Sequence, residues 1–198
     1  MYHVDPDHKE REFLTLDELT AMTEIKLEDP NMAIARDLFI YGSWTGIAFI
    51  DIKNLTEDNI SMVNGAPWIV SKRQKTGVPF QIKLLDIPMQ IVERYKSFRN
   101  GNHLFNIGNL DSINKRIKKV AVMCGIKKRV SFHVSRHSWA VLALEYGMPI
   151  ESVSKILGHT NITTTQIYAK VTSSKLDHDI YVFESRIKGH LPVMGGMA

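Results

Sequence analysis

The chain has 198 residues, 44% of them hydrophobic and 23% charged, with 25 Lys and Arg against 21 Asp and Glu. That balance excludes disordered, collagen-like and low-complexity classes, and the length suits one sizeable domain or two small ones. The single cysteine, Cys124, excludes a disulfide framework or a Cys-rich zinc site, and no apolar run approaches the roughly 18 residues of a membrane span. The net charge of +4 permits a polyanionic partner without requiring one. The opening MYHVDPDHKER lacks the apolar core of a signal peptide, so a reducing compartment, the cytoplasm, is expected.

Residues 1–14 are polar and without period, and read as a linker. Thr15-Leu16-Asp17-Glu18 is a capping box that opens a helix with Leu16, Leu19, Met22 and Ile25 on one side. Asp29-Pro30 pairs an N-cap with a proline at N1. Met32 to Tyr41 then reads as a buried helix ending near Gly42, and a short helix follows around Phe49 to Leu55.

From residue 59 the period changes. Ile60 to Val63, the turn Asn64-Gly65 and Trp68 to Val70 read as strand, turn, strand. Lys75-Thr76-Gly77 makes a second turn before a third strand, Phe80 to Leu84. Pro88 opens a helix through Tyr95, and Asp111 to Met123 is amphipathic and ended by Gly125. Ser131 to Tyr146 is helical, with Gly147 as its C-cap. Pro149 to Leu157 is a short helix ended by Gly158. Asn161 caps Ile162 to Val171, and a last helix covers roughly 175–187 before a mobile Gly195-Gly196 tail. The expected fold is α+β, mainly α, with a small three-stranded antiparallel sheet.

The densest polar constellation is His133-Val134-Ser135-Arg136-His137-Ser138. His133 shares a helix face with Arg136 and with His137. A zinc-protease helix would carry Glu after the first His; here that residue is Val134. Two histidines and an arginine beside apolar Trp139, Val141 and Leu142 need partners, and an anion would serve. Further on stands Leu157-Gly158-His159, followed by Thr165-Gln166-Ile167-Tyr168. Alone, Tyr168 reads as a packed aromatic.

Taken together, H-x-x-R-H-S, L-G-H and the later tyrosine resemble the tyrosine recombinase (phage integrase) family in order and spacing. Tyr41 to Asp51 resembles that family's first segment, and Trp68 to Leu84, with Lys75 in the hairpin, resembles its β2–β3 lysine segment. The resemblance covers about residues 12–175. The wording TGIAFIDIKNLT and RQKTG is most similar to mobile-element integrases of Bacteroidetes type.

The resemblance implies a tyrosine-type DNA recombinase that breaks and rejoins strands through a 3′-phosphotyrosyl link, in mobile-element integration or excision. It implies Tyr168 as nucleophile, Arg136 clamping the phosphate, Lys75 as general acid, His133 assisting proton transfer and His159 bonding a non-bridging oxygen. One departure stands out. The family carries arginine where this chain has Ala48. Arg73 is the candidate to supply the missing charge, since residues i and i+2 of a strand share a face and would put Arg73 beside Lys75. Its bland alternative is a DNA-backbone or solvent-facing arginine. Arg36 is a weaker candidate, read as a surface pair with Asp37 or Glu28.

The basic residues Lys115, Arg116, Lys118, Lys119, Lys127, Lys128 and Arg129 are expected to track phosphates. The expected partners are duplex DNA attachment sites, other protomers in a recombining tetramer, and accessory DNA-bending proteins. No membrane, cofactor or metal is implied. Residues 15–175 form the catalytic domain, and 176–198 a C-terminal segment suited to packing between subunits. An N-terminal core-binding domain is absent, so the chain is expected to be the catalytic part of a longer protein. Three rival readings stay open: a catalytically impaired DNA-binding relative, a type IB-like topoisomerase, and a metal-dependent hydrolase using His133, His137 and His159.

Overall fold

A computed structural model of the chain describes residues 12–99, 101–169 and 173–188. Both the opening residues 1–11 and the Gly195-Gly196 tail lie outside the described residues. Helix α1 (Leu16–Glu24) begins where its capping box does: Thr15 accepts from the Glu18 amide and Glu18 accepts from the Thr15 amide. Helix α2 (Pro30–Thr45) starts on the Asp29 side chain, which accepts from Asn31. Its far end corrects the expectation of a stop near Gly42. Gly42 stays helical, and Gly46, in the left-handed region at φ 65°, ends the helix. The physical role of Gly42 is close approach, because a Cβ there would lie 2.5 Å from Ser135 Oγ. Gly46 has a second reason to be glycine. A Cβ there would meet the Trp139 ring at 2.7 Å.

Helix α3 (Phe49–Lys53) follows at once, and then the sheet: β1 (Ile60–Val63), β2 (Ala66–Lys72) and β3 (Pro79–Lys83), antiparallel in the order β1-β2-β3. The Asn64-Gly65 turn has positive φ at both residues, as a tight hairpin demands. Ile69, Phe80 and Ile82 turn one face of the sheet into the core. Helix α4 (Asp86–Arg94) begins two residues before Pro88, which sits in its first turn, where a missing N–H costs nothing. Helix α5 (Leu110–Met123) buries Ile113, Ile117, Val120 and Ala121.

Helix α6 (Phe132–Glu145) crosses α2 through the Gly42 gap and carries the His133–Arg136 constellation. Helix α7 (Ile150–Leu157) is closed by Gly158 at φ 65°. Helix α8 is much shorter than the expected Ile162 to Val171. It covers only Thr163–Gln166, with the Asn161 side chain accepting from the Thr163 amide. Three successive β-branched threonines have weak helix propensity, and one turn is all that forms before Tyr168 turns into the core. Among the described residues, the last element is α9 (Ser173–Ile187), whose Leu176, Ile180, Tyr181 and Phe183 are exposed. No helix of the described residues is long and apolar enough to cross a membrane.

Arg36 proves to be a buried anchor rather than a surface residue. It is 7% exposed, pairs with Asp37 at 2.5 Å and donates to the carbonyls of Met22, Thr23 and Ile25. Those carbonyls end α1 and lack intrahelical donors, so a cation there satisfies them and suits the helix dipole. Asp37 also accepts from Arg94 and from the Tyr95 hydroxyl. Arg36 therefore ties α1 to α2 and lies outside the site.

Candidate active site

The site forms where the ends of α2, α6 and α7 meet the β2–β3 turn and the residues after α8. Arg136 is its centre. The guanidinium donates through Nη1 to the Gly46 carbonyl at 2.7 Å and through Nη2 to the Leu157 carbonyl at 2.6 Å. Both acceptors sit at helix C-termini, where carbonyls lack intrahelical donors. Nη2 also stands 3.2 Å from His159 Nε2. Burial, with the nearby Arg73 charge adding to it, lowers the Arg136 pKa to about 10, while Tyr168 and Asp51 pull it back up. Tyr168 therefore lies close enough to act on Arg136, and the residue is 9% exposed.

His133 is exposed at the mouth of the site. His137, one turn on, is buried between His133 and the nucleophile candidate. Its ring centroid lies 4.2 Å from that of His133 and 5.4 Å from that of Tyr168. The three rings form a file from solvent to Tyr168. His159 Nδ1 contacts Thr165 Oγ1 at 2.8 Å, and Thr165 is fully buried.

Arg73 reaches the site by a route other than strand alternation. β2 ends at Lys72, so Arg73 and Lys75 both lie in the turn, and their side chains part. Lys75 is exposed, whereas Arg73 is 5% exposed, which also removes the solvent-facing alternative. Arg73 pairs with Asp51 at 2.9 Å, donates to the Ile156 carbonyl and lies 3.9 Å over the Phe80 ring. Burial pushes its pKa down, and Asp51 opposes this. Gly158 makes room for it: a Cβ there would stand 2.9 Å from Arg73 Cγ and Nε. Asp51 also accepts from the Gln74 amide at 2.8 Å. One carboxylate on α3 therefore fixes the turn whose tip carries Lys75.

Ala48 lines a pocket of about 130 Å³ together with Asn114, His133 and Arg136. The small side chain leaves open the place beside Arg136 where the resemblance puts a second arginine. Asn114 also accepts from the Phe132 amide at 2.7 Å and so fixes the start of α6 against α5.

The basic cluster divides. Lys115, Lys118, Lys119, Lys127 and Arg129 are exposed. Lys118 follows Asn114 by one helical turn and so continues the site-facing side of α5. Arg116 is half-buried and donates to Ser112 Oγ at 2.7 Å, and Lys128 pairs with Glu18 at 2.6 Å beside the Phe13 ring. The Lys128 charge is thus paired within the protein, whereas Arg116 is held by a neutral hydroxyl.

Sequence reasoning missed Asp51, Thr165 and the place of His137. An acidic residue in the apolar stretch Phe49-Ile50-Asp51-Ile52 was a signal for Asp51, since a buried carboxylate needs a partner. The i, i+4 spacing of His133 and His137 was a signal for stacked rings. Thr165 gave none. Among the described residues, no group of three or more His, Cys, Asp or Glu is placed to hold a metal.

Comparison with known proteins fits this geometry. The model of the phage integrase family matches residues 12–175. The tyrosine recombinase XerD of Listeria monocytogenes is 45% identical over 151 residues, covering 69% of this chain and 50% of that protein. The tyrosine recombinase XerC of Natranaerobius thermophilus is 26% identical over 184 residues, covering 86% of this chain and 62% of that protein. The chain thus spans about half to three-fifths of the length of these relatives. Among solved structures, the XerH site-specific recombinase in a pre-cleavage complex with its difH substrate matches with a TM-score of 0.71 at 18% identity, over 89% of this chain and 55% of that one. The Tn1549 transposon integrase in complex with circular intermediate DNA matches with a TM-score of 0.68 at 18% identity, over 89% of this chain and 67% of that one. At such identities these likenesses speak for the fold. With the family model spanning most of its length, the chain belongs to the phage integrase family, the tyrosine recombinases.

Proposed function

We propose that the chain cleaves and rejoins duplex DNA at a specific site, with Tyr168 as the nucleophile. The observation that carries this reading is the convergence of Arg136, His159 and Tyr168 from three separate segments around a guanidinium held by neutral carbonyls. In the reaction, Tyr168 Oη bonds to phosphorus as the bond from phosphorus to the 5′ oxygen breaks, leaving a 3′-phosphotyrosyl link. The phenol proton passes toward His133, with His137 in the file between them, and Lys75 protonates the departing 5′ oxygen. Arg136 and His159 bond the non-bridging oxygens. A 5′ hydroxyl of the partner strand then attacks the link and releases Tyr168. No metal ion enters these steps.

Arg73 is the candidate for the charge missing at Ala48. It lies close enough to Arg136 to add positive charge beside that group, while Asp51 takes up part of its own charge. The exposed lysines of α5 and Lys127 and Arg129 track the DNA backbone. The exposed apolar side chains of α9 suit packing against a second protomer in a DNA-bound tetramer. The setting is a cytoplasmic mobile-element integrase, with the wording TGIAFIDIKNLT supporting the Bacteroidetes type.

A suicide duplex carrying the element's attachment site tests the core of this. A covalent protein–DNA adduct is expected from the wild type and none from Tyr168→Phe. Ala48 favours a second reading, an impaired DNA-binding relative, and binding to that site without any adduct would select it.

A further inference from the structure

We infer that Asn114 of α5 is a phosphate-binding residue, whose side-chain amide donates to a non-bridging oxygen on the flank that Ala48 leaves open. The inference rests on the proposed cleavage reaction and adds a donor to it.

The cavity of about 130 Å³ beside Ala48 has apolar walls in Phe49 and Phe132, and Asn114, His133 and Arg136 also line it. His133 and Arg136 are the residues proposed to meet the scissile phosphate, so the cavity opens on the phosphate site and Asn114 shares it. Ala48 is the N-cap of α3, and its methyl side chain has no hydrogen to donate. Half-buried Asn114 reaches the same space from α5. The backbone fixes which way its amide faces. Oδ1 accepts from the Phe132 N–H at 2.7 Å, and the reversed amide would set two donors against each other. This bond closes the start of α6, where the N-cap Ser131 makes no capping bond with its own side chain. With Oδ1 engaged there, the two hydrogens on Nδ2 are what Asn114 offers the cavity.

An amide N–H is a donor of the right sense for an anionic oxygen. It also adds no charge to a site where Arg73 already acts on Arg136. Because the Phe132 bond holds the amide before DNA arrives, the donor needs no reorientation as charge shifts onto the oxygen during attack. An asparagine serving only to close α6 would need its oxygen and not its nitrogen.

That difference is testable with the suicide duplex. Asn114→Asp keeps an oxygen for the Phe132 amide and removes both Nδ2 hydrogens, and Asn114→Ala removes oxygen and hydrogens together. The duplex is prepared with the natural scissile phosphate and with each diastereomer of a methylphosphonate, in which a methyl group replaces one non-bridging oxygen. On the natural phosphate, single-turnover cleavage is expected to slow about 100- to 1000-fold in Asn114→Ala, the range for loss of one donor to a reacting oxygen. Asn114→Asp should slow at least as much while keeping the wild-type urea midpoint. On the diastereomer lacking the oxygen that Asn114 meets, Asn114→Ala should match wild type, and on the other the defect should remain. Asn114→Asp carries the same comparison if alanine fails to fold. A parallel cycle in the Tyr168→Phe background measures affinity for the same three duplexes without chemistry. There Asn114→Ala should cost about 10-fold on the natural phosphate and nothing on the first diastereomer. Unchanged cleavage of the natural phosphate in both variants overturns the inference, as does a defect of equal size on both methylphosphonates. If wild type forms an adduct from the natural duplex alone, the affinity cycle decides, and no loss on Asn114→Ala, or a loss that neither methylphosphonate removes, overturns the inference. If wild type forms no adduct at all, the functional reading fails, and that same cycle alone decides the role of Asn114.

Discussion

Asp51 is the counter-charge for Arg73, and replacing it with asparagine asks how much of the site's architecture depends on that one charge. The substitution keeps size and shape, and Oδ1 can still accept from the Gln74 amide. What disappears is the negative charge 2.9 Å from Arg73, in a pair whose side chains are 6% and 4% exposed. Burial already pushes the Arg73 guanidinium below its usual range, with Asp51 holding it up. Removing one member of a buried pair costs about 3–5 kcal/mol, because the remaining charge stays buried without compensation. Against a total stability of about 5–15 kcal/mol this is a large share. At roughly 2–4 °C per kcal/mol for a chain of this size, Tm should fall by about 6–20 °C. Arg73→Met should fall by a similar amount, leaving Asp51 with only the Gln74 amide. The double variant should lose far less than the sum, since it contains neither charge. Urea denaturation of the four proteins measures this cycle. An Asp51→Asn variant within about 1 kcal/mol of wild type, or additive losses in the double variant, would refute the reasoning.

Two further predictions concern packing and pH. Gly42→Ala puts a Cβ 2.5 Å from Ser135 Oγ and 3.3 Å from the Phe132 ring, so overpacking should lower stability by about 1–3 kcal/mol. Adding Ser135→Ala should return part of that loss in the urea midpoint, and a Gly42→Ala chain as stable as wild type would mean that α2 and α6 do not meet so closely. Arg136 is a base whose folded pKa is lowered to about 10, well below the ordinary guanidinium range. Its burial therefore penalises the folded state fully below about pH 10. The penalty shrinks as pH rises from there, because the native state gives up the proton before the unfolded chain does. The stability of wild type relative to Arg136→Gln should accordingly be flat below about pH 9 and improve as pH rises through and above about 10 in urea titrations. A constant difference would show that burial does not perturb Arg136.

Much of the scaffold was legible because its signals are local. Thr15 with Glu18, Asp29 with Pro30, and Asn64-Gly65 each act within four residues, and each sits where the sequence placed it. The choice between Gly42 and Gly46 as the end of α2 was not local. Both are glycines after an apolar run, and only the side chains of Phe132 and Ser135, some ninety residues away, decide that Gly42 remains helical. The site divides in the same way. Arg136, His159 and Tyr168 announce themselves by order and spacing. Asp51 and Thr165 act through partners 22 and six residues away whose proximity only the fold creates. Strand alternation does not extend to Arg73, which arrives because Asp51 and the Ile156 carbonyl of α7 draw it inward.

Three of the buried or half-buried arginines near helix ends, Arg36, Arg73 and Arg136, show how one such group stays available for an anion. Arg36 and Arg73 each take a carboxylate, Asp37 and Asp51, at 2.5 and 2.9 Å. Each has a carboxylate partner inside the protein, and each also donates to carbonyls at a helix C-terminus. Arg136 is held just as firmly, by Gly46 and Leu157, but both acceptors are neutral carbonyls. Carbonyls fix the plane of a guanidinium without cancelling its charge, whereas a carboxylate does both. The lowered pKa of Arg136 follows from that arrangement: it is desolvated and repelled by Arg73, and Asp51, which is paired with Arg73, offsets these effects only in part. An arriving phosphate would supply the missing anion at a donor already oriented, so the strain of burying the charge without DNA becomes selectivity for the charged ligand. On this argument the distinction between a structural and a working arginine lies in the acceptor type, which the sequence alone does not display.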